Sequence, residues 1–129
     1  MQRYQASSTR AEAVWQTWAN DGEVIIAPGL FRTETLSVVR RKVHQRLLSD
    51  ADGEQASAIL NDLAVQISEP GHLYAVAWSL ARRFNRPTIY DSCYLALAFI
   101  VGYDLWTADR RLANEVGPHL PWVRLLAAT

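Results

Sequence analysis

The sequence is poor in cysteine, histidine and lysine, and it has no long apolar run. Its single cysteine, Cys93, cannot form an internal disulfide, so a reducing cytosol is the expected setting. The three histidines, His44, His72 and His119, lie far apart and show no zinc-ligand spacing. The longest apolar stretch, Tyr94 to Val101, is too short to span a bilayer. The polar start Met1-Gln2-Arg3-Tyr4-Gln5 does not read as a signal peptide. A cytoplasmic chain without a membrane partner is therefore expected. Excess charge is missing too: 13 basic residues balance 13 acidic ones. Any attraction to nucleic acid must then come from local patches.

What is present suits one compact domain over residues 1–129, with half of the residues hydrophobic. Repeats and linkers are absent. All but one of the basic residues are arginines, the exception being Lys42. Guanidinium groups fork onto phosphates better than ammonium groups do, although codon bias explains the same preference. Arg82, Arg83, Arg86, Arg110 and Arg111 are candidates for phosphate contacts, and pairing with nearby acids on a solvated face explains them equally well. Trp15, Trp18, Trp78, Trp106 and Trp122 could stack bases, but packing is the commoner use of tryptophan.

Turn residues divide the chain into alternating elements. Ser8 could cap a helix reaching about Asn20. Glu23 to Pro28 is a short apolar run suited to a buried strand. Leu36, Val39, Val43 and Leu47 recur at helical spacing within a helix predicted over Leu30–Leu48. A second helix begins near Asp52, and Val65–Ile67 is extended. Leu73 to Phe84 is helical, with Leu73, Ala77, Leu80 and Phe84 aligned. Ile89 to Val101 is an apolar, alanine-rich helix. Asp104–Thr107 and Trp122–Leu126 are strands, with a short helix from Ala108 to Val116 between them. Strands alternating with helices predict an α/β fold with a parallel sheet.

Three acids stand at element ends. Glu34 lies early in the helix after the Val24–Ala27 strand, and Asp109 follows the Leu105–Thr107 strand. Ligands of parallel sheets bind at the carboxyl ends of the strands, which favours both. Asp91 opens the alanine-rich helix. Taken singly, each has a plainer reading: Glu34 as an exposed helix acid, Asp91 and Asp109 as N-terminal helix caps. Their separations along the chain have no local meaning. They matter only if folding brings the element ends together.

Three segments resemble those of the PIN-domain family, of the VapC toxin type, in the family's order. Ile89-Tyr90-Asp91-Ser92-Cys93-Tyr94-Leu95-Ala96-Leu97-Ala98 is similar to its aspartate–tyrosine segment and small-residue helix. Leu105-Trp106-Thr107-Ala108-Asp109 is similar to its Thr-x-Asp strand end. Ala27-Pro28-Gly29-Leu30-Phe31-Arg32-Thr33-Glu34 is similar to its proline–aliphatic–glutamate run. The resemblance implies an α/β/α sandwich with a short, mainly parallel sheet. It implies metal-dependent RNA hydrolysis, with Glu34, Asp91 and Asp109 holding Mg2+ or Mn2+ and Thr107 supporting the site. It also implies an RNA substrate, a cognate antitoxin and a homodimer or larger homo-oligomer. The electrostatics agree with a metal. Two carboxylates about 4 Å apart repel by roughly 4 kcal/mol near a protein surface, and a hard divalent cation with oxygen ligands removes that cost.

One departure stands out. The family opens with a hydrophobic strand ending in an aspartate. Here the first strand is expected to be missing or replaced, because no aspartate precedes Asp21 and the only earlier acid is Glu12. A late start codon, a trimmed chain or a degenerate member would each explain this. A lost central strand would leave backbone groups of its neighbours unpaired, so a rebuilt N-terminus, a swapped element or a tight dimer is expected. The missing acid also keeps a second class of function open, a non-catalytic PIN-like module that binds protein or RNA. A DNA-directed nuclease is a third reading.

Overall fold

The computed structural model describes residues 2–3, 21–22 and 24–126. The described elements are β1 (Gln2–Arg3), β2 (Ile25–Ala27), α1 (Leu30–His44), α2 (Asp50–Asp62), β3 (Val65–Ile67), α3 (Leu73–Arg83), α4 (Tyr90–Val101), β4 (Leu105–Thr107), α5 (Arg110–Val116) and β5 (Val123–Leu125). The expected Ser8–Asn20 helix, with Trp15 and Trp18, lies outside the described residues.

Every described strand pair is parallel. One ladder runs β1-β4-β5 and the other β2-β3. β1 also lies close beside β2, so the two ladders abut in the order β3-β2-β1-β4-β5. This is the α/β arrangement that the alternating pattern predicts. The expectation of a missing first strand is corrected, because a strand is present there. The polar dipeptide Gln2–Arg3 takes the strand position, in register with Trp106 and Thr107. An apolar-run search passes over it because backbone pairing with β4, not side-chain propensity, defines this strand.

The core is centred on α4. Its residues Ser92 to Ala98 are all buried, so the helix is apolar on every side rather than amphipathic. α3 packs against it through Leu73, Ala77 and Ala81, one helical turn apart, and the two small alanines permit close approach. Leu80 and Phe84, expected on that face, are only partly buried at its margin. Leu105, Leu112, Val116, Leu120 and Val123 complete the same cluster from β4 to β5.

Helix ends follow local rules. α3 closes with a Schellman motif: the Asn85 N–H donates to Arg82 O at 3.2 Å and the Arg86 N–H to Ala81 O at 2.7 Å. Asn85 takes the left-handed position at φ 51°, which asparagine tolerates. α1 ends the same way, with the Arg46 N–H donating to Val43 O and the Leu47 N–H to Lys42 O. Arg46 is left-handed at φ 61°. The predicted helix over Leu30–Leu48 therefore stops at His44, and Leu47 lies 69% exposed. The α2 helix starts at Asp50, where the Ser49 hydroxyl accepts from the Asp52 N–H at 3.0 Å. Gly53 is buried where α2 crosses α1, because any Cβ there would collide with the Val43 side chain.

Candidate functional site

The carboxyl ends of the strands carry the chemistry-bearing residues. β4 ends at Thr107, which is 1% exposed, and its hydroxyl accepts the Asp109 N–H at 3.0 Å. Asp109 Oδ1 in turn accepts the Leu112 N–H at 3.1 Å and caps α5. The plainer reading of Asp109 is thus realised, and it does not conflict with a site role. The cap uses one carboxylate oxygen, and the residue is exposed at the strand end. Thr107 fixes the backbone that presents it.

Glu34 sits in the second turn of α1. The hydroxyl of Tyr94, a residue only 1% exposed, donates to Glu34 Oε1 at 2.7 Å. This is a bond between residues remote in sequence, and it joins α1 to the core helix. Tyr94 and Asp91 are three residues apart on α4 and therefore share a face. The bond therefore ties Glu34 to the helix whose first turn holds Asp91. Tyr94 is both a packed core residue and a hydrogen-bond donor at the edge of the site.

Asp91 occupies the first turn of α4, where the helix dipole favours a negative charge. It is held by Arg86, whose Nη2 donates to Asp91 Oδ2 at 2.9 Å with both side chains mostly buried. The Nη1 of Arg86 pairs with Glu115 on α5. Acid pairing is therefore what Arg86 does, rather than exposed phosphate contact. Among the described residues, no three His, Cys, Asp or Glu side chains converge as a metal cage. The acids instead stand in pairs with protein groups. Their donor chemistry nevertheless suits a hard cation, since carboxylate oxygens are the ligands that Mg2+ and Mn2+ take.

The sequence named Arg86 without its partners, and it passed over Glu69. Arg86 follows the left-handed Asn85 and precedes Pro87, a helix-stop pattern that fixes its backbone but does not announce its partners. Glu69 is the second residue after β3, so the strand-end rule that selected Asp109 would have selected it too. Its Oε1 accepts the Gly29 N–H at 3.1 Å. Glu69 is also the leading cause of the raised Tyr74 pKa. Burial pushes the Cys93 thiol up, and Glu69 and Glu34 add to the effect. Cys93 itself is a packed core residue.

Other candidates fall elsewhere. Trp106 lies beneath the Arg124 guanidinium, which also pairs with Asp104 at 2.8 Å. Trp122 meets Phe99 ring to ring. Both are packing roles, as expected. Trp78 departs from that expectation, being 68% exposed on α3. A cleft of about 340 Å3 lies between α1 and α2, lined by Leu36, Val39, Val43 and Gly53 among others. None of the three acids lines it. No helix among the described residues is long and apolar enough to cross a membrane.

Comparison with known proteins gives two concordant results. The PIN domain family model matches residues 3–116. The protein named Ribonuclease VapC12 in two strains of Mycobacterium tuberculosis, CDC 1551 / Oshkosh and H37Rv, is 30% identical over 113 residues, which cover 82% of this chain and 79% of that protein.

Proposed function

The chain belongs to the PIN-domain family, and from that premise we propose that it is a metal-dependent endoribonuclease of the VapC toxin type. The observation that carries the reading is the hydrogen-bonded strand end at Thr107 and Asp109, next to a core helix that holds Asp91 and reaches Glu34 through Tyr94. Glu34, Asp91 and Asp109 are the residues that would hold Mg2+ or Mn2+. What a bound ion supplies is polarisation of the phosphate, a lower pKa for the attacking water and charge on the leaving oxygen's side of the reaction. The chain's own part is placement. Tyr94 orients Glu34, Thr107 sets the backbone of Asp109, and the first turn of α4 presents Asp91. No protein nucleophile is required. The expected partners are RNA in the cytoplasm, a cognate antitoxin protein and a second copy of the chain.

One observation favours a second reading, a non-catalytic PIN-like module that binds protein or RNA. Among the described residues, the three acids are paired with protein groups rather than gathered into a cage. A single assay separates the two. Purified protein is incubated with single-stranded RNA or single-stranded DNA in Mg2+ or Mn2+, beside the Asp91→Asn variant. The nuclease reading expects metal-dependent RNA cleavage that falls at least about 100-fold in the variant, the scale of a lost group that acts on charge in the transition state. Cleavage that survives the substitution would overturn the metal assignment. RNA retention without cleavage would favour the binding module. Preferential cleavage of DNA would redirect the substrate class.

A further inference from the structure

Arg86 bridges the helix that carries Asp91 and the helix that Asp109 caps. One arm of its guanidinium holds Asp91 on α4 and the other holds Glu115 on α5, the helix that Asp109 caps. Its own position is fixed twice over. Backbone pinning comes from the Schellman motif of α3, through the Arg86 N–H and Ala81 O at 2.7 Å. Side-chain pinning comes from the two carboxylates, with the Arg86 and Asp91 side chains 16% and 18% exposed. A planar fork that meets two carboxylates at separate nitrogens constrains direction as well as distance, which a lysine ammonium cannot do. Arg86 takes Asp91 at Oδ2 and so restricts the directions that the carboxylate can face.

We infer that Arg86 is a positioning residue, a brace between α4 and α5 that aims Asp91 and holds its helix against the one that starts at Asp109. The inference rests on the metal-site reading, because aim matters only if Asp91 coordinates an ion. Carboxylates that bind metals are themselves held by hydrogen bonds, and loss of such a partner weakens metal affinity by roughly 10–100-fold. Arg86 acts through Asp91 and contacts no reacting atom. Glu115 acts at one further remove, and its side chain is 47% exposed, so its contribution is the smaller.

The test uses Mn2+ as the probe, with affinity and spectral line shape read by electron paramagnetic resonance on the full chain. Wild type, Arg86→Gln, Arg86→Lys, Glu115→Gln and Asp91→Asn are compared at a temperature where circular dichroism shows all of them folded. The brace expects Arg86→Gln to bind Mn2+ roughly 10–100-fold more weakly. It expects Arg86→Lys to recover part of the loss and Glu115→Gln to lie between Arg86→Gln and wild type. If Arg86→Gln fails to fold, Arg86→Lys and Glu115→Gln carry the same comparison. Unchanged affinity in the Arg86 and Glu115 variants, with binding abolished in Asp91→Asn, would overturn the brace alone. Tighter binding in Arg86→Gln would also overturn it and make Arg86 a competitor for Asp91. Wild-type binding that Asp91→Asn leaves intact, or no wild-type binding at all, would overturn the metal reading and the brace together.

Discussion

The α4–β4–α5 region and the α1–α2 hairpin are built on opposite terms. Seven consecutive residues of α4 are buried, and β4 and α5 add Leu105, Leu112 and Val116 at 2% exposure or less. The hairpin spans Leu30 to Asp62, yet Phe31 and Gly53 are its only buried helical residues. Val38, Leu47 and Ile59 are among its exposed apolar side chains. Packing density therefore separates two kinds of site residue. Asp91 and Asp109 sit on elements locked to the core, each with a local hydrogen bond or ion pair setting its direction. Glu34 rides on a lightly packed helix and is tied to the core helix by a long-range bond from Tyr94. A rigid half that fixes two acids and a looser arm that brings the third would let the arm adjust to a ligand without loosening the core.

The contrast is sharpened first by truncation of a buried leucine. Leu95→Ala should cost about 2–5 kcal/mol in urea-induced unfolding, the range for a cavity in a close-packed core. Val38→Ala on the hairpin should stay within about 0.5 kcal/mol, as surface substitutions do. Equal losses at the two positions would erase the distinction. A second comparison divides the two roles of Asp109. Asp109→Ala removes the cap and should cost about 1 kcal/mol, whereas asparagine caps as well as aspartate and should cost a few tenths. Asp109→Asn should nevertheless lose Mn2+ binding as fully as the alanine variant. Retained binding in Asp109→Asn would reduce Asp109 to a cap. The smallest effect is a gain. Arg46 stands left-handed at the end of α1, where glycine has no Cβ to clash, so Arg46→Gly should stabilise by about 0.5–1 kcal/mol. Thermal unfolding measures it, and a destabilised variant would show that the Arg46 side chain does more than terminate the helix.

Much of the fold was legible because its signals are local. The strand at Val65–Ile67, the α3 helix and the apolar α4 helix follow from periodicity and turn residues that act over a few positions. α1 was drawn too long because Leu47 continues the apolar spacing, while the backbone had already turned at Arg46. No side-chain pattern marks that turn, since arginine is not a usual left-handed residue. The candidate site was legible as separate residues, not as an arrangement. The strand-end rule led to Glu34 and Asp109, and the family resemblance added Asp91 and Thr107. Glu69 obeys the same rule and was missed, because no family segment drew attention to it. Arg86 was read, with its neighbouring arginines, as a phosphate contact or as a partner of nearby acids. The pairing that the structure shows, with Asp91 and Glu115, could not be named from sequence.

By itself, the sequence determined where most helices and strands lie and which acids end them, because capping, periodicity and chain reversal depend on residues within about one turn of one another. Only the tertiary structure decided that Gln2–Arg3 completes the sheet beside β4, that Tyr94 reaches Glu34, and that Arg86 joins Asp91 to Glu115. These contacts link residues far apart along the chain. Their energies arise from backbone pairing and from charges brought together in a partly buried space, and neither exists until the helices have packed around α4.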